Sequence, residues 1–154
     1  ENAVQRDQKR GKARADAARA KALSAEELKG IHNEKRLTVS DHIEKCMSAL
    51  PKHFPGFEVE TIYGDAGWGS AARRDDAGRS KGSGRSSFYS RLEMTVRPIS
   101  SAFVLELTAK GTIRNKEVFN RKHFEKVADA DVDTFCELAD VWILEYAELF
   151  AAAS

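Results

Sequence analysis

Residues 88–108 read FYSRLEMTVRPISSAFVLELT, and this stretch decides the fold. Phe88, Leu92, Met94 and Val96 alternate with Tyr89, Arg91, Glu93 and Arg97. Phe103, Leu105 and Leu107 then alternate with Val104, Glu106 and Thr108. A period of two places one set on a buried sheet face and the other in water. Pro98-Ile-Ser-Ser connects the two runs, and strands joined so closely pair antiparallel. Residues 111–114 extend the second run, Asn115-Lys116 make a turn, and Val118–Phe124 give a shorter strand. Lys116, Arg121 and Lys122 suit an exposed edge.

Downstream, Phe135, Leu138, Ala139, Trp142, Ile143, Tyr146, Leu149 and Phe150 cover one broad arc at helical spacing. Glu137, Asp140 and Glu148 lie opposite, and Asp131 or Asp133 starts the helix. So wide an apolar arc needs a large flat partner, and the sheet supplies it. Val141 and Leu144 fall within the acidic arc, away from the core, where they form a candidate contact site.

Upstream, residues 2–23 are rich in Ala, Arg and Lys and read as a solvated helix or linker. Ser24-Ala-Glu-Glu and Thr38-Val-Ser-Asp predict two further helix starts. Ile43, Cys46, Met47 and Leu50 share a face, Pro51 ends or kinks that helix, and Pro55-Gly56 stops it. Phe57, Val59 and Tyr63 alternate with Glu58 and Glu60 as a half-buried strand. Residues 64–87 hold six of the ten glycines, so they are expected to form a mobile Gly/Ser/Arg-rich loop.

The predicted fold is therefore α+β. An antiparallel sheet of about four strands carries N-terminal helices and a long C-terminal helix on one face. Residues 1–24 are expected to be a basic linker or stalk, and residues 25–154 a single domain. A chain of 154 residues supports one real core. Its net charge of +1 excludes bulk polyanion binding. Cys46 and Cys136 are too few for a disulfide framework and read as reduced core thiols of a cytoplasmic protein. The chain begins at Glu1, which predicts a fragment or a processed form. A membrane would be reached only through a segment upstream of it.

No chemistry stands out. Gly64-Asp-Ala-Gly-Trp-Gly-Ser70 follows a strand as a phosphate loop does, but no Lys-Ser/Thr and no helix follow it. His42 and Cys46, four apart on a helix, could face one ion. His53 lies about two turns further, near 10 Å away at helical rise, too far for the same ion. Glu58 and Glu60 read as a solvent face. Ser86, Ser87 and Ser90 have no histidine assigned to them by any motif. No catalytic residue, metal or cofactor is predicted.

Three functional expectations follow. The first is a non-catalytic protein-interaction or accessory domain, self-associating or partner-bound and tethered by its basic helix. Val141, Leu144, Trp68 and the edge strand 117–124 would make its contacts. The second is a nucleic-acid-binding accessory protein using Arg73, Arg74, Arg79, Lys81 and Arg85, flanked by Trp68, Phe88 and Tyr89. The third is a small enzyme with residues 64–87 as a lid over Glu58, Glu60, Asp65 and His123.

Overall fold

The computed structural model describes residues 2–80 and 84–153, with side chains described over 25–77 and 87–153. A long helix α1 (Asn2–Met47) and a short α2 (Ala49–His53) lead into five strands. These are β1 (Glu58–Ile62), β2 (Trp68–Ser80), β3 (Gly84–Val96), β4 (Val104–Ile113) and β5 (Lys116–Lys126), and α3 (Val132–Ala153) follows them. The strands form one antiparallel meander in the order β1-β2-β3-β4-β5. Both long helices pack on the same face. The α+β two-layer architecture is as expected, with five strands where the alternation indicated about four.

The extra strand is β2. Residues 68–80 were expected to lie in a loop, because Gly, Ala, Ser, Arg and Asp have low strand preference. Tertiary packing overrides that preference. Ala71 and Ala72 are fully buried, and Ala72 joins the core beneath α1. Gly69 lies so close to β3 that an added Cβ would sit 2.0 Å from the Met94 carbonyl oxygen. Small residues bring β2 close to its neighbours, and they also erase the pattern by which a strand is read.

The helix starts expected at Ser24 and Thr38 lie inside α1, which runs unbroken to Met47. Thr38 Oγ1 donates back to the Glu34 carbonyl (3.3 Å), so this hydroxyl serves its own helix and caps none. The break comes at Ser48. Pro51 has no N–H for the carbonyl of Met47, four residues earlier and the last residue of α1. Asp131 caps α3, accepting from Asp133 N–H (3.1 Å) and Thr134 Oγ1 (3.3 Å).

Val39, Ile43 and Met47 of α1, Leu92, Met94 and Val96 of β3, Leu105 and Leu107 of β4, and Phe135 and Tyr146 of α3 are fully buried and make the core. Side chains of this size contribute about 1.5–3 kcal/mol each on burial. Gly111 lets α3 approach, since a Cβ there would meet the Tyr146 ring at 2.8 Å. Tyr146 Oη donates to the Thr112 carbonyl at 2.7 Å. Lys35 ties α1 to the segment before α3, donating to the carbonyls of Val127 (2.8 Å) and Ala130 (2.6 Å).

Two strand readings change in detail. β1 lies at a sheet edge, so Val59 and Tyr63 are exposed and Phe57, just ahead of it, carries the burial. The turn between β4 and β5 is Arg114-Asn115, both at positive φ (49° and 71°), which suits a two-residue hairpin turn.

Candidate functional site

The surface offers three regions, and the candidate residues divide among them. The first is the seam between α1/α2 and α3. Cys46, Ala49, Leu50, His53 and Phe54 line one wall, and Asp140, Ile143, Leu144, Ala147, Glu148 and Ala151 the other. They bound an open, mainly apolar groove of about 510 Å³. Leu144 (60 % exposed) stands on its wall, and Val141 (56 % exposed) lies one turn away on the same helix. The residues of α3 include Asp133, Glu137, Asp140, Glu145 and Glu148 but no Lys or Arg.

At one end of the groove three different donor atoms meet. His42 and Cys46 are one turn apart on α1, and Asp140 comes from α3. Asp140 Oδ1 lies 2.8 Å from His42 Nε2 and accepts from the Cys46 thiol at 2.7 Å. The sulfur and Nε2 are 3.2 Å apart. Burial, reinforced by Asp140, pushes the Cys46 thiol up to about 12. Burial raises the Cys136 thiol as well. Both cysteines are free and half-buried, not fully buried as core thiols would be, and Cys46 packs against the rim of the core.

This trio resembles a nucleophile–base–acid set only in its residue types. In such a set the acid holds the imidazole nitrogen remote from the nucleophile. Here acid and thiol share one nitrogen, and the thiol is held protonated. The arrangement suits a shared ion better than a proton relay. The i, i+4 spacing of His42 and Cys46 was legible in the sequence. The third donor was not, since Asp140 lies 94 residues beyond Cys46 and was read as part of a solvent face.

The second region is the other flank of α1. Trp68 lies beneath the Arg36 guanidinium, 4.2 Å from its ring centre. A small cleft of about 190 Å³ joins Trp68 to Leu37, Ser40, Thr61 and Tyr63. Trp68 is therefore separated from Val141 and Leu144 by α1, and the three candidate partner residues do not make one surface.

The third region is the hairpin of β2 and β3. β1 pairs with β2 only over Gly69–Arg73, and β4 with β3 only over Arg91–Val96. Residues 74–80 and 84–90 are strand partners of each other alone among the described residues, as a two-stranded arm extending past β1 and β4. Asn115 pins its base, donating through Nδ2 to the Ser87 carbonyl (3.2 Å) and accepting from Tyr89 N–H (2.9 Å). Arg73 and Arg74 are held by Asp75 (3.2 Å) and Asp76 (3.0 Å). Arg79 and Arg85 are register partners across the arm, and Lys81 lies outside the described residues.

The lid reading loses its basis, because residues 68–80 belong to the sheet. Its residues are also dispersed. Glu58 and Glu60 lie on edge strand β1, Asp65 in the turn before β2, and His123 on the opposite edge strand β5 against Phe135 (5.1 Å between ring centres). The glycines of 64–70 make a tight turn, with Gly67 N–H donating to the Gly64 carbonyl (3.0 Å), and lead into a strand, not a helix.

Among the described residues no helix is long and apolar enough to cross a membrane. No protein-family model, curated protein or solved structure matches the chain.

Proposed function

We propose that the chain is a protein-interaction module that receives a basic amphipathic helix in the groove between α1/α2 and α3. The observation that carries this reading is the groove itself. Leu50, Phe54, Ile143, Leu144 and Ala147 give it an apolar floor and walls about 510 Å³ in extent. A helix laid in such a groove anchors through side chains at i, i+3, i+4 and i+7. The charge of the occupant follows from Asp140 and Glu148, which line the groove where no Lys or Arg does, and which favour a cationic partner. Val141 and Leu144 extend the apolar strip toward solvent.

The test is titration with helical peptides that share one apolar face and differ in the charge of the other. The basic peptide should bind, and the acidic one should bind at least about tenfold more weakly, a difference of ~1.4 kcal/mol. Leu144→Lys and Val141→Lys should weaken the basic peptide while leaving the thermal midpoint in place, because both side chains are exposed. Equal affinity for the two peptides, or indifference to Leu144→Lys, would reject the reading. A mass in solution that doubles with concentration and returns to the monomer in Leu144→Lys would instead make a second copy the occupant.

A second reading is supported by the β2–β3 arm. A two-stranded ribbon fits the DNA major groove, and Arg79 and Arg85 are register partners along this arm. Its lower arginines are already engaged by Asp75 and Asp76. Arg79→Gln with Arg85→Gln should then abolish a salt-sensitive affinity for duplex DNA. Affinity that ignores salt would remove this reading.

A further inference from the structure

We infer that His42, Cys46 and Asp140 form a binding site for a zinc-like divalent transition-metal ion that clasps α1 to α3. The site shares Cys46 and Asp140 with the lining of the groove, but it does not require that a helix docks there.

One imidazole nitrogen, one sulfur and one carboxylate oxygen, drawn from two helices, form a triangle with sides of 2.7, 2.8 and 3.2 Å. Each of the three sides involves atoms that a metal would hold. Zinc bonds of about 2.0–2.3 Å in tetrahedral geometry set donors roughly 3.3–3.6 Å apart. The sides therefore need to open by about 0.3–0.9 Å, most between sulfur and carboxylate, for an ion just off the plane of the triangle to touch all three.

Mg²⁺ and Ca²⁺ take oxygen donors and leave sulfur alone. A mixed nitrogen, sulfur and oxygen set suits zinc and its neighbours in the first transition row. His42 and Cys46 are held one turn apart by α1, which Val39, Ile43 and Met47 anchor in the core. α3 is fixed by Tyr146 and Phe135 in the core. The two helices present their donors without a loop having to fold around the ion. His42 and Asp140 are partly exposed, with side chains 32 % and 54 % accessible, so an ion has a path in and solvent can fill the fourth position.

The proton balance is simple. The carboxylate oxygen now accepts from the thiol and faces Nε2. On binding, the Cys46 S–H bond breaks, its proton goes to solvent, and the thiolate pair bonds the metal. The imidazole proton moves to Nδ1 so that Nε2 can bind. One proton leaves per ion, and nothing is oxidised or reduced.

The experiment uses the whole chain, fully reduced, titrated with Co²⁺ as the spectroscopic probe and then with Zn²⁺. Co²⁺ should give a thiolate-to-metal charge-transfer band that saturates at one equivalent, and Zn²⁺ should bleach it. Cys46→Ser should abolish the band. Cys136→Ser should keep it, which separates the two thiols and controls for general loss of structure. His42→Gln and Asp140→Asn should each weaken Zn²⁺ at least about tenfold, a loss of ~1.4 kcal/mol. In parallel, Zn²⁺ should raise the thermal midpoint of the natural chain and of Cys136→Ser but not of Cys46→Ser. The far-ultraviolet circular dichroism of each variant shows whether it is folded. Absence of a charge-transfer band, its survival in Cys46→Ser, or an equal Zn²⁺ shift in all variants would overturn the site.

Discussion

The two faces of this sheet spend their polar groups differently. On the open face the charges serve one another: Arg91 is bound by Glu93 and Glu60, Lys122 lies 3.5 Å from Glu106, and Lys110 lies 3.7 Å from Glu117. Thr95 and Thr108 share a hydrogen bond of 3.1 Å across β3 and β4. Such a face is complete when solvated, and exposed pairs of this kind add little stability. On the helical side the core is sealed beneath α1 and α3, yet the outer seam between them keeps an apolar groove and a knot of thiol, imidazole and carboxylate. The three donors of that knot hydrogen-bond to one another, yet they are also of the types that can hold a transition-metal ion.

The comparison can be broken by substitution. The largest effect is expected in the core of the helical side. Phe135 is fully buried, and Phe135→Ala should cost about 3–5 kcal/mol, read from urea denaturation. A loss below ~1 kcal/mol would mean that α3 is not integral to the core. Gly69→Ala comes next. It forces a Cβ against the Met94 carbonyl and should cost about 1–3 kcal/mol by overpacking. If residues 68–80 were a loop in solution, the change would be silent, and amide exchange along β2 would be fast.

His32 sharpens the contrast through pH. It is buried, and among the described residues its Nε2 has no hydrogen-bond partner. Burial, with the nearby Arg36 adding to it, lowers its pKa below the ordinary 6.5. A base depressed in the folded state takes up its proton more readily when unfolded. Its contribution is therefore intact above pH 6.5 and declines as pH falls from there toward the depressed folded value. Thermal midpoints measured across this window should fall on acidification, and His32→Gln should flatten that slope. An unchanged slope would place the acid sensitivity elsewhere. The smallest effect belongs to the open face, where Lys122→Ala should change stability by no more than about 0.5 kcal/mol. A larger loss would show that the charge ladder is more than a solvated surface.

Much of the fold was legible because it is written locally. Leu92, Met94 and Val96 announce a strand by a period of two, and Phe135, Ala139, Trp142 and Tyr146 announce a helix by a period of 3.6, all within one element. β2 was not legible. Apart from Trp68 its residues are small or charged, and pairing with β3, joined by β1 over Gly69–Arg73, makes them a strand. The candidate site divides in the same way. The one-turn spacing of His42 and Cys46 can be counted along the chain, whereas Asp140 joins them only because α3 packs against α1.

By itself, then, the sequence determined the layers: which residues turn toward a core, that the last helix starts at Asp131 or Asp133, and that Pro51 ends or kinks the helix before it. Those outcomes follow from side-chain period, capping and missing N–H groups, which act over a few residues. Tertiary structure decided how β2 enters the sheet, how far the β2–β3 arm outruns its neighbours, and which donors meet at the seam. Those depend on register and helix packing between segments remote in the chain, where no local pattern carries the information.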